Sequence, residues 1–210
     1  MMNIYNCDCL QYMKQMKDDF FDLSIVDPPY GIGKDWTKNK SGVHYNHDSC
    51  YDNSNIPPRE YFIELKRISK NQIIWGGNYY TEHLEPRNSW IIWDKKRDYT
   101  KTHMSEVEMA WTSFNIPARI YQHIWDGGKK GKETGIKKIH PHQKPIRLYK
   151  WILDQYAKPG WNIFDSHMGS GSLAIACHDL KYNFTGCEIE KQYFDSAAKR
   201  IKEHSLQLTF

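Results

Sequence analysis

Short apolar runs that end in turn-forming residues alternate with segments of helical period, a pattern typical of α/β proteins. The apolar runs predict strands at residues 23–26, 72–75, 90–93, 107–113, 161–164 and 183–187. Apolar residues at helical spacing predict helices after Pro57-Pro58 and within residues 149–156, 173–180 and 193–201. We therefore expect an α/β sandwich.

Two segments show neither the apolar runs typical of strands nor the helical spacing of apolar residues. Residues 31–56 are polar, and a loop of this length in a compact enzyme is usually a functional lid or disordered. Residues 127–140 hold four glycines and five lysines against the single acid Glu133. This composition predicts a separate, flexible insert that faces a polyanion.

The composition is that of one globular domain that spans residues 1–210, with 40% hydrophobic and 26% charged residues and a net charge of +4. Such a weak positive charge permits a nucleic-acid partner without proving one. No apolar stretch approaches the ~18 residues of a spanning helix, and the first residues do not resemble a signal peptide. These features predict a soluble, intracellular protein with no membrane partner.

The five cysteines have no zinc-binding spacing, and Cys7-Asp8-Cys9 is interpreted as a reduced pair rather than a chelate. We therefore predict no metal site.

The last third of the chain has the order strand, acid, glycine-rich turn, helix, strand and acid. Its polar positions are Asp165, Gly169-Ser170-Gly171 and Glu188. In nucleotide-binding α/β units the glycines let a ligand approach the backbone, and the second acid holds ribose hydroxyls. The turn lacks the third glycine found at pyrophosphate sites, so a ribose-containing cofactor without phosphates, such as S-adenosylmethionine, fits better. The alternative is a tight strand-to-helix turn with no ligand.

Asp27-Pro28-Pro29-Tyr30 follows the first predicted strand. An acid at the carboxyl end of a parallel strand lies where such sheets bind ligands. The prolines make the turn rigid, their carbonyls can accept hydrogen bonds, and Tyr30 offers a flat face. The segment suits a planar, conjugated amine. The alternative is a strand-terminating turn with an exposed tyrosine.

Four motifs together resemble a known family. Asp27-Pro28-Pro29-Tyr30 is similar to the catalytic motif of amino-methylating DNA methyltransferases, and residues 164–172 to their cofactor motif. Residues 140–145, HPHQKP, resemble the family's His-Pro-Thr-Gln-Lys-Pro segment, with His142 in place of threonine. Residues 6–9, NCDC, resemble its Gly-Asp-Cys, with Cys7 in place of glycine. The catalytic motif comes first, which is the permuted order of the beta class.

The resemblance implies a Rossmann-like methyltransferase sheet, mostly parallel with an antiparallel edge strand and with helices on both faces. It implies methylation of adenine N6 in flipped-out DNA, with cytosine N4 as the alternative and S-adenosylmethionine as the cofactor. The catalytic residues would be Asp27, Pro28, Pro29 and Tyr30. The cofactor-binding residues would be Asp8, Cys9, Asp27, Lys144, Asp165, Gly169, Ser170, Gly171, Ser172 and Glu188.

The resemblance also places a target-recognition insert at about residues 116–140. Its candidate DNA-binding residues are Lys129, Lys130, Lys132, Lys137 and Lys138, because phosphate contacts dominate DNA affinity. The alternative is a solvated charged face. Double-stranded DNA, a second copy of the chain and a companion restriction endonuclease are the implied partners, in the cytoplasm of a prokaryote or in a phage or mobile element. A non-catalytic DNA-binding protein and a dinucleotide-dependent oxidoreductase are the competing interpretations.

Overall fold

The computed structural model describes residues 1–32, 55–96, 105–125, 130–133 and 138–207. Most of the predicted loop 31–56 and part of the predicted insert lie outside these ranges.

The strands are β1 Met2–Asn6, β2 Leu23–Val26, β3 Gln72–Trp75, β4 Trp90–Asp94, β5 Val107–Thr112, β6 Arg119–Gln122, β7 Asn162–Asp165 and β8 Asn183–Glu188. The helices are α1 Cys9–Lys14, α2 Arg59–Ile68, α3 Ile146–Tyr156, α4 Ser172–Asp179 and α5 Lys191–Gln207. Short 3₁₀ turns lie at Gly77–Tyr79 and Gly131–Glu133. Within the described ranges, no helix is long and apolar enough to cross a membrane.

The strands form one sheet in the order β1-β8-β7-β2-β3-β5-β4-β6. Strand β5 runs antiparallel to both neighbours, and every other described pairing is parallel. The mostly parallel sheet is confirmed, but the antiparallel strand was expected at the edge and lies inside the sheet. Strand β4 pairs with the outer side of β5, and β6 extends the sheet by pairing in parallel with the other side of β4.

Alternate residues of the central strands pack on opposite faces of the sheet. In β3, Ile73 and Trp75 lie in one apolar cluster while Ile74 lies in the other. Helices α3, α4 and α5 cover the first face, and α1 and α2 cover the second. The expected three layers, with helices on both faces of the sheet, are confirmed.

The sequence did not predict β1, α1 or β6. These three elements are short, and β6 carries mostly exposed side chains at the edge of the sheet, so none of them has a strong hydrophobic period. Helix α4 was expected to bury one face, but every residue from Ser172 to Cys177 is buried, while Leu180 is exposed.

The first part of the target-recognition insert expected at about residues 116–140 belongs to the main fold, since strand β6 is part of the sheet and Trp125 is buried in the core. The stretch 127–140, which was expected to be separate and flexible, is described only at residues 130–133 and 138–140. The side chain of Glu133 accepts hydrogen bonds from the backbone N–H groups of Ile146 (3.2 Å) and Arg147 (2.8 Å). The lone acid of the lysine-rich stretch therefore caps α3, a helix whose own N-cap, Pro145, makes no side-chain cap bond.

Candidate active site

A cavity of about 230 Å³ lies where β2, β7 and β8 end. In a mostly parallel sheet, carboxyl ends of neighbouring strands meet at one edge, so acids that follow them converge. The lining residues are Asp27, Pro29, His140, His142, Gln143, Lys144, Tyr149, His167, Met168, Gly169, Ser170, Ser172, Glu188, Ile189 and Glu190. The structure thus brings three of the four sequence motifs to one cavity.

Asp27 is held from both sides. The Tyr30 hydroxyl donates to Asp27 Oδ1 at 2.6 Å, and the Lys144 ammonium donates to Asp27 Oδ2. Burial and the negative charge of Asp27 keep the pKa of Tyr30 well above its usual value, so this hydroxyl stays protonated and donates. Both oxygens of the predicted acceptor therefore already have donors.

The sequence suggested that the carbonyls of Pro28 and Pro29 are available as acceptors, but in the structure both already accept a hydrogen bond. The hydroxyl of Tyr80, which follows the Gly77–Tyr79 turn, lies 2.8 Å from the Pro28 oxygen and 2.7 Å from the Pro29 oxygen. One proton is shared between two carbonyls, and each oxygen keeps a second lone pair. Tyr80 thereby fixes the turn and still leaves acceptor capacity.

Tyr30 stacks on Tyr79, with ring centroids 5.1 Å apart and an angle of 16° between the planes. Its ring also lies against Gly76, where a Cβ atom would come within 2.3 Å of it. Gly76 has φ of +71°, which glycine adopts without strain. The glycine after β3 is thus required by both the turn and the tyrosine.

Lys144 lies between two acids. Besides Asp27, its ammonium is 3.1 Å from Glu108 Oε2, and Lys95 pairs with the other oxygen of Glu108. Burial alone would lower the pKa of Lys144, but the charges of Asp27 and Glu108 outweigh it and raise the pKa. Burial would likewise raise the pKa of Glu108, yet Lys144 and Lys95 hold it at about 2. Lys144 and Glu108 are therefore both charged at neutral pH.

Asp165 is in a different state. It is only 4% exposed, and its carboxylate accepts a hydrogen bond from the His167 N–H at 3.1 Å. Among the described residues no lysine or arginine pairs with it. Burial, with the negative charges of Asp27 and Glu188, raises its pKa to about 8. Asp165 lies two residues before the cavity-lining residues 167–169 and is not itself part of the lining.

Glu188 lines the cavity and orders the glycine-rich turn. Its carboxylate accepts the Gly169 N–H at 2.8 Å and the Glu190 N–H at 3.0 Å. Gly171, with φ of +70°, begins α4. From α5, Arg200 donates to the Ser170 carbonyl (2.8 Å) and to the Ser172 hydroxyl (3.0 Å). The turn is thus fixed by groups from two other elements.

Asp8 and Cys9 lie outside the cavity lining. Asp8 caps α1 by accepting the N–H groups of Leu10 (2.7 Å) and Gln11 (3.1 Å). Burial and the charge of Asp8 raise the pKa of the Cys9 thiol to about 12, so this cysteine is a poor nucleophile.

Two histidines that line the cavity, His142 and His167, have pKa values below that of an exposed histidine. His167 is hydrogen-bonded through Nδ1 to the Ser166 hydroxyl, which in turn bonds Tyr61. Burial lowers the pKa of His167 to about 4 and also lowers the pKa of His142. The cavity wall is therefore neutral at these positions.

Of the five predicted DNA-binding lysines, the structure describes the side chains of two, Lys130 and Lys138. Lys130 lies 5.6 Å above the Trp125 ring, and Lys138 is exposed. Lys129 and Lys137 lie outside the described residues, as does the side chain of Lys132. Their role stays a prediction.

Sequence reasoning missed several residues that shape this site. Glu108 pairs with Lys144, Lys95 pairs with Glu108, Tyr80 holds the proline turn, and Arg200 holds the glycine-rich turn. A signal was present for Glu108, since an acid at the start of an otherwise apolar strand needs a partner. For Arg200 no local signal existed.

Comparison with known sequences identifies the class of protein. Residues 53–199 match the profile of N6_N4_Mtase, the DNA methylase family. The chain belongs to this family, as its motifs had indicated.

Individual relatives share about a quarter or less of their aligned residues with this chain. The Type II methyltransferase M.HpaI of Haemophilus parainfluenzae is 25% identical over 92% of this chain and 72% of its own length. M2.DpnII of Streptococcus pneumoniae, also a Type II methyltransferase, is 22% identical over 96% of this chain and 90% of its own length.

Solved structures agree on the fold. The M1.HpyAVI–SAM complex superposes with a TM-score of 0.61 at 23% identity, over 95% of this chain and 100% of the other. The cytosine-N4-specific PvuII DNA methyltransferase gives 0.63 at 14% identity, over 98% and 91%. A Rossmann-like methyltransferase fold is therefore confirmed, and the two structures do not separate adenine from cytosine.

Proposed function

We propose that this chain is a site-specific DNA methyltransferase that transfers a methyl group from S-adenosylmethionine to the N6 amine of adenine. The observation that carries the proposal is that the Asp27–Tyr30 turn, the glycine-rich turn and Glu188 all contribute to the lining of one cavity. An aspartate at the first position of this motif favours adenine by resemblance to the family.

The chemistry requires alignment rather than a covalent nucleophile. The lone pair of an exocyclic amine is delocalised into the ring, so hydrogen-bond acceptors must localise it as the new N–C bond forms. We assign these acceptors to the Asp27 carboxylate and the Pro28 carbonyl. Pro29 makes the turn rigid, and Tyr30 stacks on the base. The amine proton then passes to Asp27 or to water.

The residues at the cavity fit S-adenosylmethionine, which when bound supplies an electrophilic methyl group on a sulfonium. Asp165 is a buried acid without an ionic partner among the described residues, and the cofactor's ammonium would provide one. Glu188 would accept ribose hydroxyls with its remaining lone pairs, and Gly169, Ser170, Gly171 and Ser172 would line the site. Asp8 and Cys9 stay proposed neighbours of the cofactor's adenine.

Lys144, predicted to bind the cofactor, lines the cavity but contacts Asp27. We therefore place it on the amine side of the site.

The target amine is paired inside a duplex, so the base must be flipped out, which costs a few kcal/mol. Stacking on Tyr30 offsets part of this cost. We propose that the lysines between residues 129 and 138 contact the DNA phosphates.

Only about residues 116–140 are left for reading a target sequence, and β6 takes part of that stretch. A short recognition sequence, a second copy of the chain that helps to read DNA and a companion restriction endonuclease complete the proposal.

The experiment is methyl transfer from labelled S-adenosylmethionine to mixed-sequence duplex DNA, followed by digestion and identification of the modified nucleoside. We expect N6-methyldeoxyadenosine. N4-methyldeoxycytidine would assign the chain to the cytosine branch, and absence of transfer with intact DNA binding would favour a non-catalytic DNA-binding protein. Tight NAD binding without affinity for S-adenosylmethionine would contradict the cofactor assignment.

A further inference from the structure

Four side chains of alternating charge lie in a row at the edge of the sheet where the active site is found. In spatial order they are Lys95, Glu108, Lys144 and Asp27. Asp27 follows β2, Glu108 lies in β5, and Lys95 follows β4, so the row crosses neighbouring strands. Because β5 is antiparallel, its first residues lie at the edge where the parallel strands end. This reversal places an acid beside Lys144.

The row is largely removed from water. The Lys144 side chain is 4% exposed, and its ammonium lies 5.1 Å above the Trp75 ring and 5.9 Å above the Tyr30 ring. A buried cation is stable only if it is paired, and losing its partner is strongly unfavourable. Lys144 has two partners, Asp27 and Glu108.

The second partner matters because both oxygens of Asp27 already accept a hydrogen bond, one from Tyr30 and one from Lys144. Each oxygen keeps further lone pairs, but a cation held on Asp27 draws electron density from it and makes it a weaker acceptor for the target amine. Lys144 can turn towards Glu108 and remain paired, whereas without Glu108 it would stay on Asp27.

We propose that Glu108 is a positioning residue for methyl transfer: by sharing Lys144 with Asp27, it lets Asp27 accept the hydrogen bond of the target amine. The proposal rests on the proposed function, because it gives Asp27 the acceptor role. Lys95 holds the outer oxygen of Glu108 and so keeps the inner oxygen towards Lys144.

The test is Glu108→Gln, which keeps the shape and removes the charge. We expect kcat to fall at least about tenfold, with KM for DNA and for S-adenosylmethionine changed less than about twofold, since the interaction acts in the transition state. Glu106→Gln is the matched control, because Glu106 is exposed and lies two residues earlier in the chain. Its rate should equal that of the wild type.

A double-mutant cycle separates positioning from general packing. Lys144→Met should also lower kcat, because it removes the cation that orients Asp27. The double variant should be no slower than Lys144→Met alone, because Glu108 acts through Lys144. The proposal would be overturned if the kcat loss of the double variant equalled the product of the two single losses. It would also be overturned if Glu108→Gln had the kcat of the wild type.

Folding is monitored by thermal unfolding and by S-adenosylmethionine binding. Should Glu108→Gln not fold, Glu108→Asp keeps the charge on a shorter side chain and should lower kcat while KM stays constant, and an unchanged kcat contradicts the proposal. A wild-type chain that methylates no base refutes the proposed function, whereas an active wild type with a normal Glu108 variant refutes only this inference.

Discussion

Two carboxylates at the ends of neighbouring parallel strands have opposite environments. Asp27, after β2, is bonded by Tyr30 and paired with Lys144. Asp165, at the end of β7, is buried without an ionic partner among the described residues, and its pKa is raised to about 8. Strands β2 and β7 are adjacent, so sheet geometry alone does not cause the difference.

The difference lies in where the counter-ion comes from. The protein supplies a cation to Asp27 from the segment before α3, so that acid is paired and oriented before any substrate arrives. For Asp165 the described chain supplies only a backbone N–H, and the proposed cofactor would supply the cation. One acid is organised in advance, and the other is completed by its ligand.

The largest expected effect is at Asp27. Asp27→Ala should lower methyl transfer by about 100- to 1000-fold or more, since it removes the acceptor for the amine, while DNA binding stays mostly intact. Single-turnover kinetics and DNA titration measure the two quantities. Asp195→Ala, an exposed acid on α5, is the control. Full activity in Asp27→Ala would refute the assigned mechanism.

The next effect concerns the cofactor at Asp165. Asp165→Asn should weaken S-adenosylmethionine binding by about 10- to 100-fold, the cost of losing a charge-assisted hydrogen bond. In the wild type the affinity should rise with pH up to about 8, because a cationic ligand favours the ionised carboxylate. Calorimetry from pH 6 to 9 should find a smaller pH dependence in the variant. Parallel curves for both proteins would remove Asp165 from the cofactor site.

Asp165 should also make the stability of the unliganded protein depend on pH. Its pKa is raised on folding from 3.8 to about 8, so the folded state binds more protons between these values. The stabilisation is complete below pH 4 and is lost as pH rises through 8. Relative to Asp165→Asn, the wild type should lose on the order of 3 kcal/mol of unfolding free energy between pH 5.5 and 8.5. Urea denaturation of both proteins measures this difference, and a constant gap would mean that Asp165 is already ionised.

The smallest effect on the comparison comes from lysines outside the cavity, whose replacement should leave the environments of Asp27 and Asp165 unchanged. Replacing Lys129, Lys130 and Lys132 by Ala should weaken DNA binding and reduce its salt dependence by about one unit of slope for each lost phosphate contact. Cofactor affinity should not change. The control replaces Lys191, Lys199 and Lys202, three exposed lysines of α5. If the two triple variants have the same salt slope, the lysine-rich stretch is only a solvated face.

Much of the fold was predictable because local patterns and tertiary packing agree. Tyr61, Phe62, Leu65 and Ile68 of α2 share the apolar face that the sequence predicted, and the strands ending before Asp27 and near Asp165 are short buried runs. Strand β6 was missed because an exposed edge strand has no apolar run, and the insert was assigned too much independence because Glu133 was counted only as a charge.

The sequence by itself determined the order of the motifs, the buried strands and the identity of the two acids, since these depend on residue types and short spacings. Only the tertiary structure decided which acid is paired, because Lys144 lies 117 residues from Asp27 and Glu108 reaches it through an internal antiparallel strand. Ion pairing depends on distance in space and on exclusion of water. Neither quantity can be read from neighbours along a chain.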